Sequence, residues 1–221
     1  MFLYRKACED DMFDILKLYS EFTQEEPCAQ ALGIAGYDNP GIAGYANPGI
    51  AESLLMLAQS GKIMLCCEDT DVLGMAVFYN INCQGSSIPD IEAGCAARGL
   101  ADLSPIYALS SIALDAQNIG RTWRVDMLTY LEMLVTTMMA RGRGVASGIV
   151  QAKEVDGVIA AVASSEGTLR ILGKREWKIW STLDCKEFLY REQRVFAGLE
   201  TITAYVKDAR KQILYVISHY V

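Results

Sequence analysis

Residues 106–123 constrain the fold more than any other stretch. An apolar run over residues 106–114 gives way to a short polar turn, and an apolar-periodic helix is predicted from Thr122. A strand, a glycine-containing turn and a helix N-terminus in that order form an anion site. The first-turn N–H groups have no intrahelical partner, and the helix dipole adds partial positive charge there. Gly120 lets a phosphate approach the main chain closely. The helix is predicted over residues 122–140. There Trp123, Val125, Met127, Leu128, Tyr130, Leu131, Met133, Leu134, Met138 and Met139 leave little polar circumference. This reading makes the helix buried, with its methionines as core filler and Gly142 and Gly144 as its end.

The rest of the chain alternates between the two periods. A short strand is predicted at 2–6, then an amphipathic helix over 10–23 capped by Asp10 or Asp11. A second helix over 50–60 ends at Gly61. Strands at 62–68 and 72–80 are joined by Asp69-Thr70-Asp71. Residues 81–105 read as a loop or short helix. Residues 145–152 and 157–163 both look strand-like, a helix follows over 165–174, and 177–183 is a strand. The remainder should supply at least one further strand and a terminal helix or strand. This order predicts an α/β (α+β) fold with a mixed central sheet. The whole chain, 1–221, reads as one domain, with insertions near 28–49 and 81–105 and a C-terminal extension from about 184. Inside the first insertion, Gly33-Ile-Ala-Gly-Tyr-Asp-Asn-Pro40 is followed by Gly41-Ile-Ala-Gly-Tyr-Ala-Asn-Pro48. Two copies are too few for a solenoid, so this is a duplicated loop between helices.

Bulk chemistry narrows the function classes. A net charge of −7 argues against nucleic-acid or anionic-membrane binding, because phosphate contacts need clustered Lys and Arg. No apolar run approaches the length of a membrane span, and the N-terminus lacks a signal-peptide core. The seven cysteines contain no C-x-x-C pair, and Cys66-Cys67 on a strand would face opposite ways. Reduced thiols, a cytoplasmic location and no metal site are therefore expected, the only histidine being His219. Without a nearby histidine, neither Ser110 nor Ser111 forms a hydrolase nucleophile.

Gln117, Gly120 and Thr122 resemble the Q/R-x-x-G-x-G/A pyrophosphate loop of the GNAT superfamily of N-acetyltransferases, and the chain reads as a divergent member. Thr122 stands where that pattern has Gly or Ala. The opening order of strand, acidic cap and helix, and the hairpin with Gly74, are similar too. The resemblance spans residues 2–183 and implies that the fourth and fifth strands splay apart. It implies direct acyl transfer from acetyl-CoA, or another acyl-CoA, to a small-molecule or protein amine. Pantetheine would lie along Ile112, Ala113 and Leu114. The pyrophosphate would lie on Gln117, Asn118, Ile119, Gly120, Arg121, Thr122 and Trp123.

The resemblance also implies a tyrosine acid in the helix after the fifth strand. Aligning Trp177 with the motif's final aromatic places Leu172 at that tyrosine and Ser165 at its asparagine, so the usual acid is missing. Tyr107 and Ser165 are the candidate replacements, and Glu92 and Glu154 are candidate bases. Two other readings stay open: a long-chain N-acyl amino acid synthase-like enzyme using acyl carrier protein, and a non-catalytic binding module. A homodimer stays open as well.

Overall fold

The computed structural model describes residues 1–33, 48–97, 100–153, 155, 157–174 and 176–210. Its elements follow the order β1 (Leu3–Lys6), α1 (Met12–Glu25), α2 (Pro27–Ala31), α3 (Pro48–Gln59), β2 (Ile63–Glu68), β3 (Asp71–Asn82) and α4 (Ile88–Ala97). Then come α5 (Ser104–Leu114), α6 (Ala116–Trp123), β4 (Met127–Thr136), α7 (Val145–Ala152), β5 (Val158–Ala163), α8 (Glu166–Leu172), β6 (Lys178–Asp184) and β7 (Thr201–Asp208). The Gly-Ile-Ala-Gly-Tyr repeat falls almost wholly on residues 34–47, outside the described residues, as does Glu154.

The seven strands form one mixed sheet in the order β1-β2-β3-β4-β5-β7-β6. Every neighbouring pair is antiparallel except β4–β5. Ile15, Leu18 and Leu54, from α1 and α3, pack over Ile63, Leu65 and Met75 on one face. On the same face, Leu114 and Ile119, from α5 and α6, cover Leu128, Tyr130 and Val158. The opposite face is covered by α7 and α8, whose Ile149 and Leu172 share a core with Phe78, Leu131 and Ala161. Cys67 belongs to the first core and Cys66 to the other, the opposed placement that strand alternation requires. Burying side chains of this size removes each from water at about 1.5–3 kcal/mol apiece.

Two predicted elements are exchanged. Residues 106–114, expected as the fourth strand, form most of helix α5, and the centre of the expected 122–140 helix is strand β4. Helix α5 starts at Ser104-Pro105, with proline in the first turn where its missing N–H costs nothing. It ends at Asp115, which adopts the left-handed conformation (φ 44°). Strand β4 is central and covered by helices on both faces. It therefore shows no polar–apolar alternation, and its Met, Leu and Glu content imitates a helix. The methionines divide accordingly: Met133 is buried, while Met127, Met138 and Met139 are exposed. Residues 145–152, the ambiguous segment, are helix α7.

The entry to α1 is pinned by a carboxylate. Both oxygens of Asp11 accept from the Arg5 guanidinium, at 2.7 and 2.6 Å, and Oδ2 also accepts the Cys8 N–H at 2.8 Å. These bonds, from Arg5 first, hold the Asp11 carboxyl well below the usual carboxylate range. Asp11→Asn is expected to lower stability by about 2 kcal/mol at neutral pH, measured by urea unfolding. A lowered folded-state pKa stabilises above the unfolded value of about 4, and that contribution is lost as pH falls through the folded value. The two proteins should therefore converge in strong acid.

Candidate active site

The register of β4 builds an opening into the sheet. Val77 of β3 pairs with Met133 and Phe78 pairs with Leu131, so Glu132 is an extra residue, a β-bulge. The bulge shifts the alternation by one. Leu128 and Tyr130 before it, and Met133 and Val135 after it, belong to the cores on the α1 side of the sheet. On its other edge, β4 pairs with β5 only through Thr129, Tyr130 and Leu131. Beyond Leu131 the ladder between the two parallel strands stops. The expected splay between the fourth and fifth strands is thus present, between these two strands. A cleft of about 710 Å³ occupies it, lined by residues 130–136 of β4 and by Ala161 and Val162 of β5.

At one end of the cleft lies a glycine-rich turn. The segment Ala140-Arg141-Gly142-Arg143-Gly144-Val145 leads from the end of β4 into α7, and Gly142 and Gly144 have positive φ of 74° and 87°. A Cβ built on either glycine meets nothing within 4 Å, so the main chain here is bare. Arg141, Gly142, Gly144, Ala146 and Ser147 all line the cleft. The Q/R-x-x-G-x-G/A pattern therefore fits residues 139–144, with both glycines present and Met139 at the first position. Ser147, Arg170 and Ile171 extend this end onto a shelf that also includes Lys174.

The turn expected at 117–122 is not a turn. Gln117, Asn118, Ile119, Gly120, Arg121, Thr122 and Trp123 form the body of α6. Asp115 caps that helix, its carboxylate accepting the Asn118 N–H at 3.3 Å. A negative group thus stands where an anion would have to bind. Gly120 serves close packing, since a Cβ there would lie 2.5 Å from the Cys83 Cβ. Ile112, Ala113 and Leu114 lie at the end of α5, and none of residues 112–123 lines the cleft.

The cleft is also lined by carboxylates and hydroxyls. Glu26 stands where α1 stops before Pro27. The residue preceding a proline is driven out of the helical region, and Glu26 is extended at φ −71° and ψ 117°. The resulting corner projects the side chain into the cleft. Its Oε1 accepts the Ser164 hydroxyl at 2.5 Å and the Cys28 N–H at 3.3 Å, the latter capping α2. Ser164 follows the last residue of β5, so this contact bridges the α1–α2 corner and the open edge of the sheet. On the opposite wall, the Tyr107 hydroxyl of α5 donates to Glu132 Oε1.

Tyr107 and Ser165, the expected catalytic residues, both line the cleft. Ser165 caps α8, accepting the Thr168 N–H at 3.4 Å. Glu92 lies elsewhere, bound to Tyr190 and Arg191. Glu26, Glu132 and Ser164 were not singled out by sequence reasoning. The signal for Glu26 was its place immediately before a helix-breaking proline.

Two titratable groups in the cleft stay protonated. Burial, followed by the nearby Glu26 charge, pushes the Cys28 thiol up. Burial, then Glu132 and Glu26, pushes the Tyr130 phenol up. Leu172, at the position of the missing tyrosine, is fully buried in the core beneath α8. Among the described residues no group of three or more His, Cys, Asp or Glu could hold a metal, and no helix is long and apolar enough to cross a membrane.

A mixed sheet split between a parallel pair of strands, with a glycine turn entering a helix beside the split, is the fold of the GNAT N-acetyltransferases. Solved structures share it. Arylalkylamine N-acetyltransferase 2 from Aedes aegypti superposes with a TM-score of 0.73 at 14% identity, over 94% of this chain and 98% of that one. The apo form of an agmatine N-acetyltransferase mutant superposes at 0.72 and 13% identity, over 94% and 99%. A polyamine N-acetyltransferase from Drosophila melanogaster superposes at 0.70 and 13%, over 94% and 100%. Neither a protein-family model nor a curated protein matches the sequence.

Proposed function

We propose that the protein is an N-acyltransferase that moves an acetyl group from acetyl-CoA directly to an amine. The observation that carries this reading is the Glu26–Ser164 contact, set in the cleft between β4 and β5 that the bare glycine turn also lines. The enzymes named above act, by their names, on arylalkylamines, agmatine and polyamines, which agrees with an amine acceptor.

The cleft suits an acyl-CoA as donor substrate. The open edge of β4 beyond Leu131 offers main-chain groups to the pantetheine amides. The N–H groups of residues 142–146 and the α7 dipole offer a seat to the pyrophosphate. Arg170 and Lys174 supply positive charge on the adjoining shelf. The donor brings the activated acyl group. The chain's own residues hold the partners together and move two protons.

Glu26 takes the proton of the attacking amine. Ser164, already donating to Glu26, passes its hydroxyl proton to the departing sulfur and is refilled from Glu26. One carboxylate thus serves both halves of the reaction, which accounts for a working site without the usual tyrosine. Ser165 and Tyr107 border the same space, and Tyr107 orients Glu132. A protonated Cys28 is no nucleophile, which favours direct transfer over an acyl-cysteine.

Calorimetric titration with acetyl-CoA, followed by thiol release across a panel of amines, tests the proposal. Binding with amine-dependent thiol release is the expected result. Absence of acetyl-CoA binding would overturn the donor assignment, and binding without thiol release for any amine would leave only a binding module.

A further inference from the structure

Among the described residues, Glu132 is the one residue of β4 without a register partner in either neighbouring strand. Towards β3 it is the bulge, passed over between Leu131 and Met133. Towards β5 the last rung is Leu131–Ala161, so Glu132 is also the first residue beyond the ladder. At such a point neither ladder fixes the main chain. Yet here β4 changes from a paired strand into the open edge that lines the cleft.

A carboxylate is costly at this half-buried position in a central strand, between the buried Leu131 and Met133. It is tolerated only when hydrogen-bonded. The Tyr107 hydroxyl, reaching from α5, donates to it. Tyr107 itself packs against the core that holds Met133 and Val135. The bond therefore ties the unpaired point of β4 to a helix resting on that same core. Without the bulge, the alternation would carry Met133 and Val135 to the opposite face of the sheet. Tether and packing thus favour one register, the register that leaves the edge of β4 open.

We propose that Glu132, held by Tyr107, is a positioning residue for the donor: it fixes the β4 bulge, and with it the main-chain groups beyond Leu131 along which the pantetheine arm lies. This rests on the acyl-transfer reading. Glu132 moves no proton in the reaction, and Glu26 remains the base. The Glu132 carboxylate serves as a hydrogen-bond acceptor, a part that a neutral amide oxygen also fills. Two substitutions therefore separate a base from a tether. Glu132→Gln removes the proton affinity and keeps the acceptor, whereas Glu132→Ala removes the acceptor as well.

The test compares acetyl-CoA with 3′-phosphoadenosine 5′-diphosphate (coenzyme A without its pantetheine arm), both titrated calorimetrically. Glu132→Ala should raise Kd for acetyl-CoA roughly tenfold and change that of the truncated nucleotide by less than about twofold. Tyr107→Phe should raise Kd for acetyl-CoA less, since Glu132 keeps another interaction. Glu132→Gln should recover most of the affinity that Glu132→Ala loses. Unchanged acetyl-CoA affinity in Glu132→Ala, or equal weakening of both ligands, would overturn the proposal. So would a fall in kcat in Glu132→Gln as deep as that in Glu26→Gln. Hydrogen exchange of the ligand-free protein reads the tether without a donor. Amides 131–135 should exchange faster in Glu132→Ala and in Tyr107→Phe, and near the wild-type rate in Glu132→Gln. Unchanged exchange in both of the first two variants means that no tether exists. If the wild type binds no acetyl-CoA, the acyl-transfer reading fails and takes the donor role with it, and exchange alone then decides whether Glu132 pins the bulge.

Discussion

Glu26→Gln should lower kcat/KM for any amine acceptor by about 10²–10⁴-fold, the usual contribution of a positioned general base. The substitution keeps size and hydrogen-bonding capacity, so the α1–α2 corner and the Ser164 contact persist. Only the ability to take a proton is lost. The fall should appear in kcat, with acetyl-CoA affinity little changed, because the glycine turn proposed to seat the phosphates is built from other elements. Raising the pH should recover part of the rate, since more of the free amine is then already deprotonated. Steady-state kinetics over a pH series, with thermal unfolding as a check on folding, decides the matter. A Glu26→Gln enzyme with wild-type kcat would remove the assigned base and return the role to another carboxylate.

The second large effect is expected at the glycine turn. Gly144 has a φ of 87° and open space beside its Cα. An aspartate there would strain the main chain, push a side chain into the seat of the pyrophosphate and place a negative charge at the start of α7. Gly144→Asp should weaken acetyl-CoA binding by about 10²-fold or more, while Gly144→Ala, which adds bulk without charge, should weaken it less. Calorimetry on both variants, with circular dichroism to confirm folding, measures this. Wild-type affinity in Gly144→Asp would show that phosphate binds elsewhere. The same aspartate placed at Gly198, which has open space around it and does not line the cleft, serves as a control for an added negative charge.

Much of the fold was legible because its outer elements obey simple periods. The amphipathic α1 buries one side and exposes the other, and the hairpin of β2 and β3 reads as two apolar runs joined by the polar turn Asp69-Thr70-Asp71. The centre was not legible for the same physical reason reversed. Strand β4 is covered on both faces, so its residues 127–136 lack alternation and read as a buried helix. Helix α5 carries β-branched Ile106 and Ile112 among small residues and reads as a strand, although Ser104-Pro105 marked its start. Exchanging these two elements set the expected pyrophosphate loop at 117–122, whereas the bare glycine turn beside the cleft is at 140–145. The residues that carried the family resemblance, Gln117, Gly120 and Thr122, lie in helix α6, so the fold expectation holds although the local order of strand, turn and helix over 106–140 does not. Ser165 was found by aligning Trp177 with the family motif, and Tyr107 by its place at the start of an expected strand that is helix α5. Glu26 was not, because a carboxylate before a proline looks like an ordinary helix stop until the corner it makes is seen in three dimensions.

In the strand ladder, three register pairs, Thr129–Ile159, Tyr130–Ala160 and Leu131–Ala161, join the four-stranded half of the sheet to the three-stranded half. The cleft proposed for the chemistry therefore opens along the same line as the break in the ladder. A substrate bound along that seam, as proposed, would add a rung between two halves that the ladder joins at one end and the shared cores join elsewhere. Tightness of donor binding and stiffness of the whole body are then one property, and any change that closes the seam with protein rather than ligand exchanges reactivity for rigidity.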